Sequence, residues 1–248
     1  MSKNIITIIT VLAVVIFAYF VFKKHHPQII QQEKVTNSEN FDGKDMKQVL
    51  LTTIRNKNTS LSDLRKATES LASILANEAC TYLEKENVAI ETPLARTTGT
   101  QIKNNVVLVP VLKGGLTMLS AFTNFFKNSK VKVGFIGSMR KKKDSAVGVY
   151  YDDLPPIVKS DEIIVLESVL ASGGTACNTI NKIKDTGGKE EKIILVTLVS
   201  AAEGINKIKK ELPKVKIVTA STNEKLNKER YVVPGVGKDF GARFYGWE

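Results

Sequence analysis

The chain is poor in the side chains that most often carry nucleophilic and metal chemistry. It has two cysteines, Cys80 and Cys177, far apart and outside any Cys-x-x-Cys or Cys/His ligand spacing. Neither a disulfide framework nor a structural zinc site is indicated, and a reducing compartment fits best. Its two histidines, His25 and His26, are adjacent and sit beside an N-terminal apolar run. The rest of the chain therefore lacks the base that a Ser-His or Cys-His mechanism needs. No Gly-Lys-Ser/Thr follows a glycine-rich turn at the required spacing, which excludes a Walker-type loop. Acidic residues are also scarce, 25 Asp and Glu against 36 Lys and Arg, a net charge of +11. That surplus suits an anionic partner: a phosphorylated substrate, an acidic lipid surface or nucleic acid. The lysines are scattered, however, with no periodic basic helix and no aromatic-interleaved patch, so most are read as solvated faces and no nucleic-acid partner is expected.

Residues 5–22 form a run without a formal charge, long enough as a helix to cross a hydrocarbon core of about 30 Å. The basic flank before it is only Lys3, and Phe17 to Phe22 lacks a small-x-small cleavage pattern, so an uncleaved transmembrane anchor is expected rather than a signal peptide. Tyr19, Phe20 and Phe22 then lie at the interface, and Lys23 and Lys24 place the positive flank on the C-terminal side. The reading is a single-pass membrane protein with its globular domain in the cytoplasm. Residues 23–47, rich in Gln, Asn, Glu and Lys, read as a flexible spacer, and 48–248 as one domain.

Within that domain, apolar residues at helical spacing over 61–83, with Ser60 as N-cap, predict an amphipathic helix. Downstream, β-branched runs at 105–110, 131–136, 162–166, 192–199 and 216–220 read as strands, and 115–126, 175–184 and 204–212 as helices. Alternation of this kind predicts an α/β fold with a mostly parallel sheet flanked by helices, whose ligands gather at the C-terminal ends of the strands.

The most informative stretch is 163–176: an apolar strand, Glu167, then Ala171, Ser172, Gly173, Gly174 and Thr175 leading into a helix. The glycines let backbone N–H groups turn toward an oxyanion, the hydroxyls add donors, and the helix presents its positive end. Glu167 could accept hydrogen bonds from ribose hydroxyls. Local chemistry alone leaves two readings open, a phosphate cradle or an ordinary junction in which Gly-Gly permits the bend.

This segment resembles the phosphoribosyl pyrophosphate (PRPP) loop of type I phosphoribosyltransferases, and specifically the Asp-Pro-Met-Leu-Ala-Thr-Gly-Gly-Ser of the uracil phosphoribosyltransferase family. Further similarities follow in family order. Ile54 to Ser60 with Arg65 resembles the N-terminal signature, and Glu91-Thr92-Pro93-Leu94 precedes a strand as it does there. Val109 to Leu116 resembles the Pro-x-Leu-Arg-Ala-Gly-Leu segment that touches pyrophosphate, and Arg140 follows a Gly-x-x-Arg pattern before a mobile loop. Ser200 to Gly204 resembles Ala-Ala-Pro-Glu-Gly, and Tyr231 to Gly237 with Asp239, Phe240, Gly241 and Arg243 resembles the uracil-binding hood.

The resemblance implies a type I phosphoribosyltransferase fold with a small C-terminal hood, converting uracil and PRPP to UMP and pyrophosphate with Mg²⁺. It implies Glu167, Lys113 and Arg140 as the catalytic group. PRPP would be bound by those three with Ala171, Ser172, Gly173, Gly174 and Thr175, and uracil by Val232, Gly237, Asp239 and Phe240. Asp239 would stand on the metal side, and the assembly would be a homodimer or larger homo-oligomer. The chain departs from the family at Lys113 for Arg, Glu167 for Asp, Ser168 for Pro, Ala202 for Pro, Asn223 for Asp and Ala242 for Asp, and Lys238 looks inserted before Asp239. Lys238 either bulges outward or enters the pocket. The alternatives to an active uracil enzyme are a degenerate, membrane-tethered nucleotide- or phosphate-binding module and a related enzyme using another base.

Overall fold

The computed structural model describes residues 46–127, 129–140, 147–222 and 224–247. The expected anchor at 5–22 and most of the spacer lie outside the described residues. Among the described residues no helix is long and apolar enough to cross a membrane.

The chain begins with helices α1 (Met46–Arg55) and α2 (Leu61–Cys80), followed by a hairpin of β1 (Lys85–Glu91) and β2 (Arg96–Ile102). It continues through β3 (Val106–Leu112), α3 (Leu116–Phe125), β4 (Val131–Val133), β5 (Phe135–Arg140) and β6 (Val147–Asp153). Then come β7 (Glu162–Leu170), α4 (Gly174–Asp185), β8 (Ile193–Ser200), α5 (Ala202–Glu211) and β9 (Lys216–Thr219). The last elements are the two-residue strands β10 (Lys225–Leu226) and β11 (Val232–Val233) and the short helix α6 (Phe240–Tyr245). Helix α1 starts at Met46, two residues before the domain boundary expected from composition.

Seven strands form one sheet in the order β6-β5-β3-β7-β8-β9, with β4 also against β3. All its pairings are parallel except that of the edge strand β6 with β5. The central strands read as unbroken apolar runs because both faces are covered. Successive side chains alternate faces. Leu108, Ile164, Leu166, Ile194 and Val196 therefore enter the core under α2 and α3, while Val107, Val109, Ile163, Val165, Ile193 and Leu195 enter a second core under α4 and α5. Ser60 caps α2 as its position suggested, its hydroxyl accepting from the Asp63 amide at 3.1 Å.

Parallel strands end at one edge. The turns after β3, β7 and β8 therefore come together there, and the C-terminal segment from β11 through α6 packs beside them.

Candidate active site

The phosphate-loop candidate is fastened on its underside. Gly173 has φ +80°, in the left-handed region that L side chains avoid, and a Cβ there would also meet the Gly204 carbonyl at 3.1 Å. Gly204 itself is pressed onto the loop, where a Cβ would lie 2.5 Å from the Ala171 carbonyl. The Ala201 amide donates to the Leu170 carbonyl at 2.8 Å. Ala171 to Gly173 thus reach α4 at one height above the sheet. The first amides of that helix, from Gly174 onward, have no intrahelical acceptor and present its positive end, flanked by the half-buried Ser172 and Thr175.

Glu167 lies on β7, in register with Thr197 of β8. Its Oε2 is buried without a hydrogen-bond partner. Burial pushes its pKa up to about 8, so near neutral pH the carboxyl is mostly protonated. An unpartnered buried carboxyl oxygen in the C-terminal half of β7 suits a ligand hydroxyl, which both donates and accepts. Behind it, Cys177 on α4 has its thiol pushed up to about 12, first by burial, then by its hydrogen bond to Glu211 and by negative charge nearby. It is an inert core thiol, as its lack of a base in the sequence implied.

The turn after β3 supplies the cation. A Cβ on Gly114 would lie 2.3 Å from Ser168 Oγ, and one on Gly115 would lie 2.1 Å from the Leu166 carbonyl. The two glycines therefore let Lys113 sit directly beside the Glu167 strand. Lys113 Nζ pairs with Asp239 Oδ2 at 2.9 Å and lies 4.4 Å from the centroid of the Trp247 ring. Asp239 also accepts from the Ala242 amide at 2.9 Å through Oδ1, capping α6. Partial burial works against its ionisation, but the Ala242 amide and the Lys113 ammonium outweigh it and hold the carboxyl below the usual range. Lys238 is exposed, and it is Asp239 that meets Lys113.

The hood residues divide by what faces outward. Val232 is buried and pairs with Leu226 across the β10–β11 ladder. Gly237 has φ +121°, a conformation that only glycine adopts freely. The Phe240 ring is buried in the core, 6.2 Å from the Phe244 ring, which leaves its backbone rather than its ring for any ligand. Of Arg140, the register places the backbone at the end of β5 opposite Val147, while 141–146 and Asn223 lie outside the described residues.

Sequence reasoning missed how the hood is held. Arg243 donates to the carbonyls of Ile54 at 2.6 Å, Val236 at 3.0 Å and Asn56 at 2.7 Å. Arg65 donates to the Phe244 carbonyl at 3.0 Å. Arg55 pairs with the buried Glu224, which also accepts from Ser221 Oγ at 2.5 Å. Arg55 and Arg65 of the N-terminal signature thus clamp the C-terminal segment, together with its own Arg243. Trp247 carried no motif signal at all.

Among the described residues no cluster of three or more His, Cys, Asp or Glu could hold a metal ion. Both oxygens of Asp239 are already engaged. The donor set fits Mg²⁺ held mainly by a polyphosphate, with at most one carboxylate nearby, rather than a cation caged by protein.

Residues 43–246 match the family described as Uracil phosphoribosyltransferase. The chain belongs to the uracil phosphoribosyltransferase family. The Mycoplasma genitalium uracil phosphoribosyltransferase is 39% identical over 196 residues, 79% of this chain and 93% of that protein. The Clostridium botulinum (strain Hall) uracil phosphoribosyltransferase is 39% identical over 197 residues, 79% of this chain and 92% of that protein. Among solved structures, the AQ2163 protein of Aquifex aeolicus superposes with a TM-score of 0.72 at 27% identity, covering 82% of this chain and 95% of that one. Within the uracil phosphoribosyltransferase frame, three of the departures noted in the sequence have a definite place: Lys113 pairs with Asp239, Glu167 sits on β7 with its Oε2 buried, and Lys238 is exposed.

Proposed function

We propose that this enzyme transfers the phosphoribosyl group of PRPP to uracil, forming UMP and pyrophosphate in pyrimidine salvage. The observation that carries the reading is the convergence, at the C-terminal edge of the parallel sheet, of the 171–175 loop, Glu167 and the Lys113–Asp239 pair. The α4 N-terminus with Ser172 and Thr175 holds the 5-phosphate, and the orphaned Glu167 carboxyl receives the ribose hydroxyls. Lys113 meets the departing pyrophosphate, and Arg140, whose backbone lies at the end of β5, is assigned to the same group by the family pattern. The backbone around Val232, Gly237, Asp239 and Phe240 orients uracil so that N1 bonds to C1′ as the C1′–O bond to pyrophosphate breaks and the N1 proton is released. Positioning and charge carry such a reaction without a histidine. Bound Mg²⁺ would neutralise charge developing on the leaving group.

The degenerate-module reading rested on Lys113, Lys238 and Ala242; against it, Lys238 is exposed, Lys113 keeps its charge paired with Asp239, and the Ala242 amide donates to the same carboxylate. Incubating the full chain with PRPP, Mg²⁺ and labelled uracil should yield UMP and stoichiometric pyrophosphate. Turnover of another base but not uracil would move the assignment within the fold, and no turnover of any base would leave only a binding module.

The membrane anchor at 5–22 and the cytoplasmic placement of the domain belong to the same proposal, supported by the uncharged run and by Lys23 and Lys24 behind it. Full-length protein should resist carbonate extraction, and its domain should be shielded from external protease. Release by carbonate removes the anchor, and shaving by protease reverses the orientation. Self-association is supported by the β1–β2 hairpin. Its strands are exposed on most positions and its tip carries Leu94 at 97% exposure. A two-stranded ribbon this bare is barely stable alone. Sedimentation should give at least a dimer.

A further inference from the structure

Resting on the reading of Lys113 as the pyrophosphate cation, we infer that Trp247 is a positioning residue for that side chain, holding its ammonium in place for the polyphosphate. A lysine is a compact charge on a flexible four-carbon stem, without the preorganised fork of an arginine, so its position must be enforced by neighbours. Here two neighbours do so from different directions. Asp239 takes one N–H direction at 2.9 Å, and the indole face of Trp247 covers the ammonium at 4.4 Å to the ring centroid. With three N–H donors on the group, one direction is left for a phosphate oxygen.

The tryptophan is built into place rather than draped there. Helix α6 ends at Gly246 in the left-handed conformation, φ +86°, and the Trp247 amide closes back onto the Ala242 carbonyl at 2.9 Å. This is a glycine-terminated helix end, and it fixes the direction in which residue 247 leaves. The opposite end of α6 is capped by Asp239, so both groups that restrain Lys113 are set by one short helix. Gly241 of the same helix lies against the stem of the lysine, where a Cβ would be 3.1 Å from Lys113 Cβ. Yet Trp247 as a residue is 70% exposed, so it contributes little to the core. A large aromatic ring spent on an ammonium beside the site, and on little else, is accounted for by recognition rather than stability.

The chain has one tryptophan, which makes the inference directly readable. In the full-length protein, saturation with magnesium pyrophosphate should alter Trp247 emission, and this response should vanish in Lys113→Met. Trp247→Ala should weaken pyrophosphate binding by calorimetry and raise KM for PRPP, each by about threefold to fivefold, with kcat within about twofold. Trp247→Phe should restore most of the affinity. If Trp247→Ala binds pyrophosphate as the natural protein does, the inference falls whatever the emission shows, while the functional reading stands. If the natural protein binds no pyrophosphate, both fall together.

Discussion

The phosphate loop and the C-terminal hood face the same edge of the sheet but are held by different forces. The loop rises from β7, whose residues are almost all buried, and its backbone is wedged against α5 through Gly173 and Gly204. The hood is fastened by point contacts: Arg243 on three carbonyls, Arg65 on one, and the half-exposed Lys113–Asp239 pair. On the proposed assignment the loop takes the 5-phosphate, which is common to every PRPP-consuming reaction and suits a rigid cradle. The base and the leaving pyrophosphate must enter and leave, and a segment held by a few replaceable polar contacts suits that.

The largest expected effect tests whether the loop side also stores a cost. Glu167 has its folded pKa raised from 4.5 to about 8. Between those values the folded protein holds a proton that the unfolded chain has released, so this group's contribution to stability is complete below about pH 4.5, declines as pH rises, and is gone above about pH 8. Glu167→Gln should remove that decline. The difference in urea unfolding free energy between variant and natural protein should grow toward high pH by at most on the order of 4 kcal/mol. A constant difference from pH 5 to 9 would mean that the carboxyl is not buried as described.

Next, Gly174→Val should block backbone approach to the phosphate at the start of α4 and weaken PRPP binding about a hundredfold in a folded protein. Unchanged calorimetric affinity would move the 5-phosphate elsewhere. Third, Arg243→Ala should cost about 2 kcal/mol, because three carbonyls lose their donor. The loss should be local, with faster amide exchange over 232–247 and little change in β3, β7 and β8. Exchange that accelerates equally in the sheet would erase the distinction between the two regions.

The smallest effect is expected at Asp239. Its pKa is lowered, so its stabilising contribution is present above the ordinary carboxylate value and is lost as pH falls through the lower, folded one. Because the side chain is 52% exposed, solvent screens the pair, and Asp239→Asn should cost no more than about 1 kcal/mol at neutral pH and less in acid. Thermal melts at pH 3 and pH 7 give the comparison.

Local pattern was enough to specify the parallel sheet, the Ser60 cap and the strand-loop-helix around Gly173, because each rests on residues close in sequence: an apolar run, a hydroxyl before a helix, a glycine where φ must be positive. Those patterns failed where burial does not follow them. The β1–β2 hairpin is exposed on both faces and so has no apolar alternation to read. The edge strand β6 and the six-residue helix α6 are too short or too weakly patterned to register. Family order among the motifs pointed to Lys113, Glu167 and Asp239 one by one. Which of them meet was decided by tertiary structure alone. Lys113 and Asp239 pair because parallel strands deliver the β3 turn to the same edge on which the arginine-clamped C-terminus packs. Lys238 stays outside because the backbone turns at Gly237. Trp247 reaches Lys113 because a helix end at Gly246 aims it there. Each of these outcomes depends on the direction in which a distant segment arrives, and no short stretch of sequence carries that information.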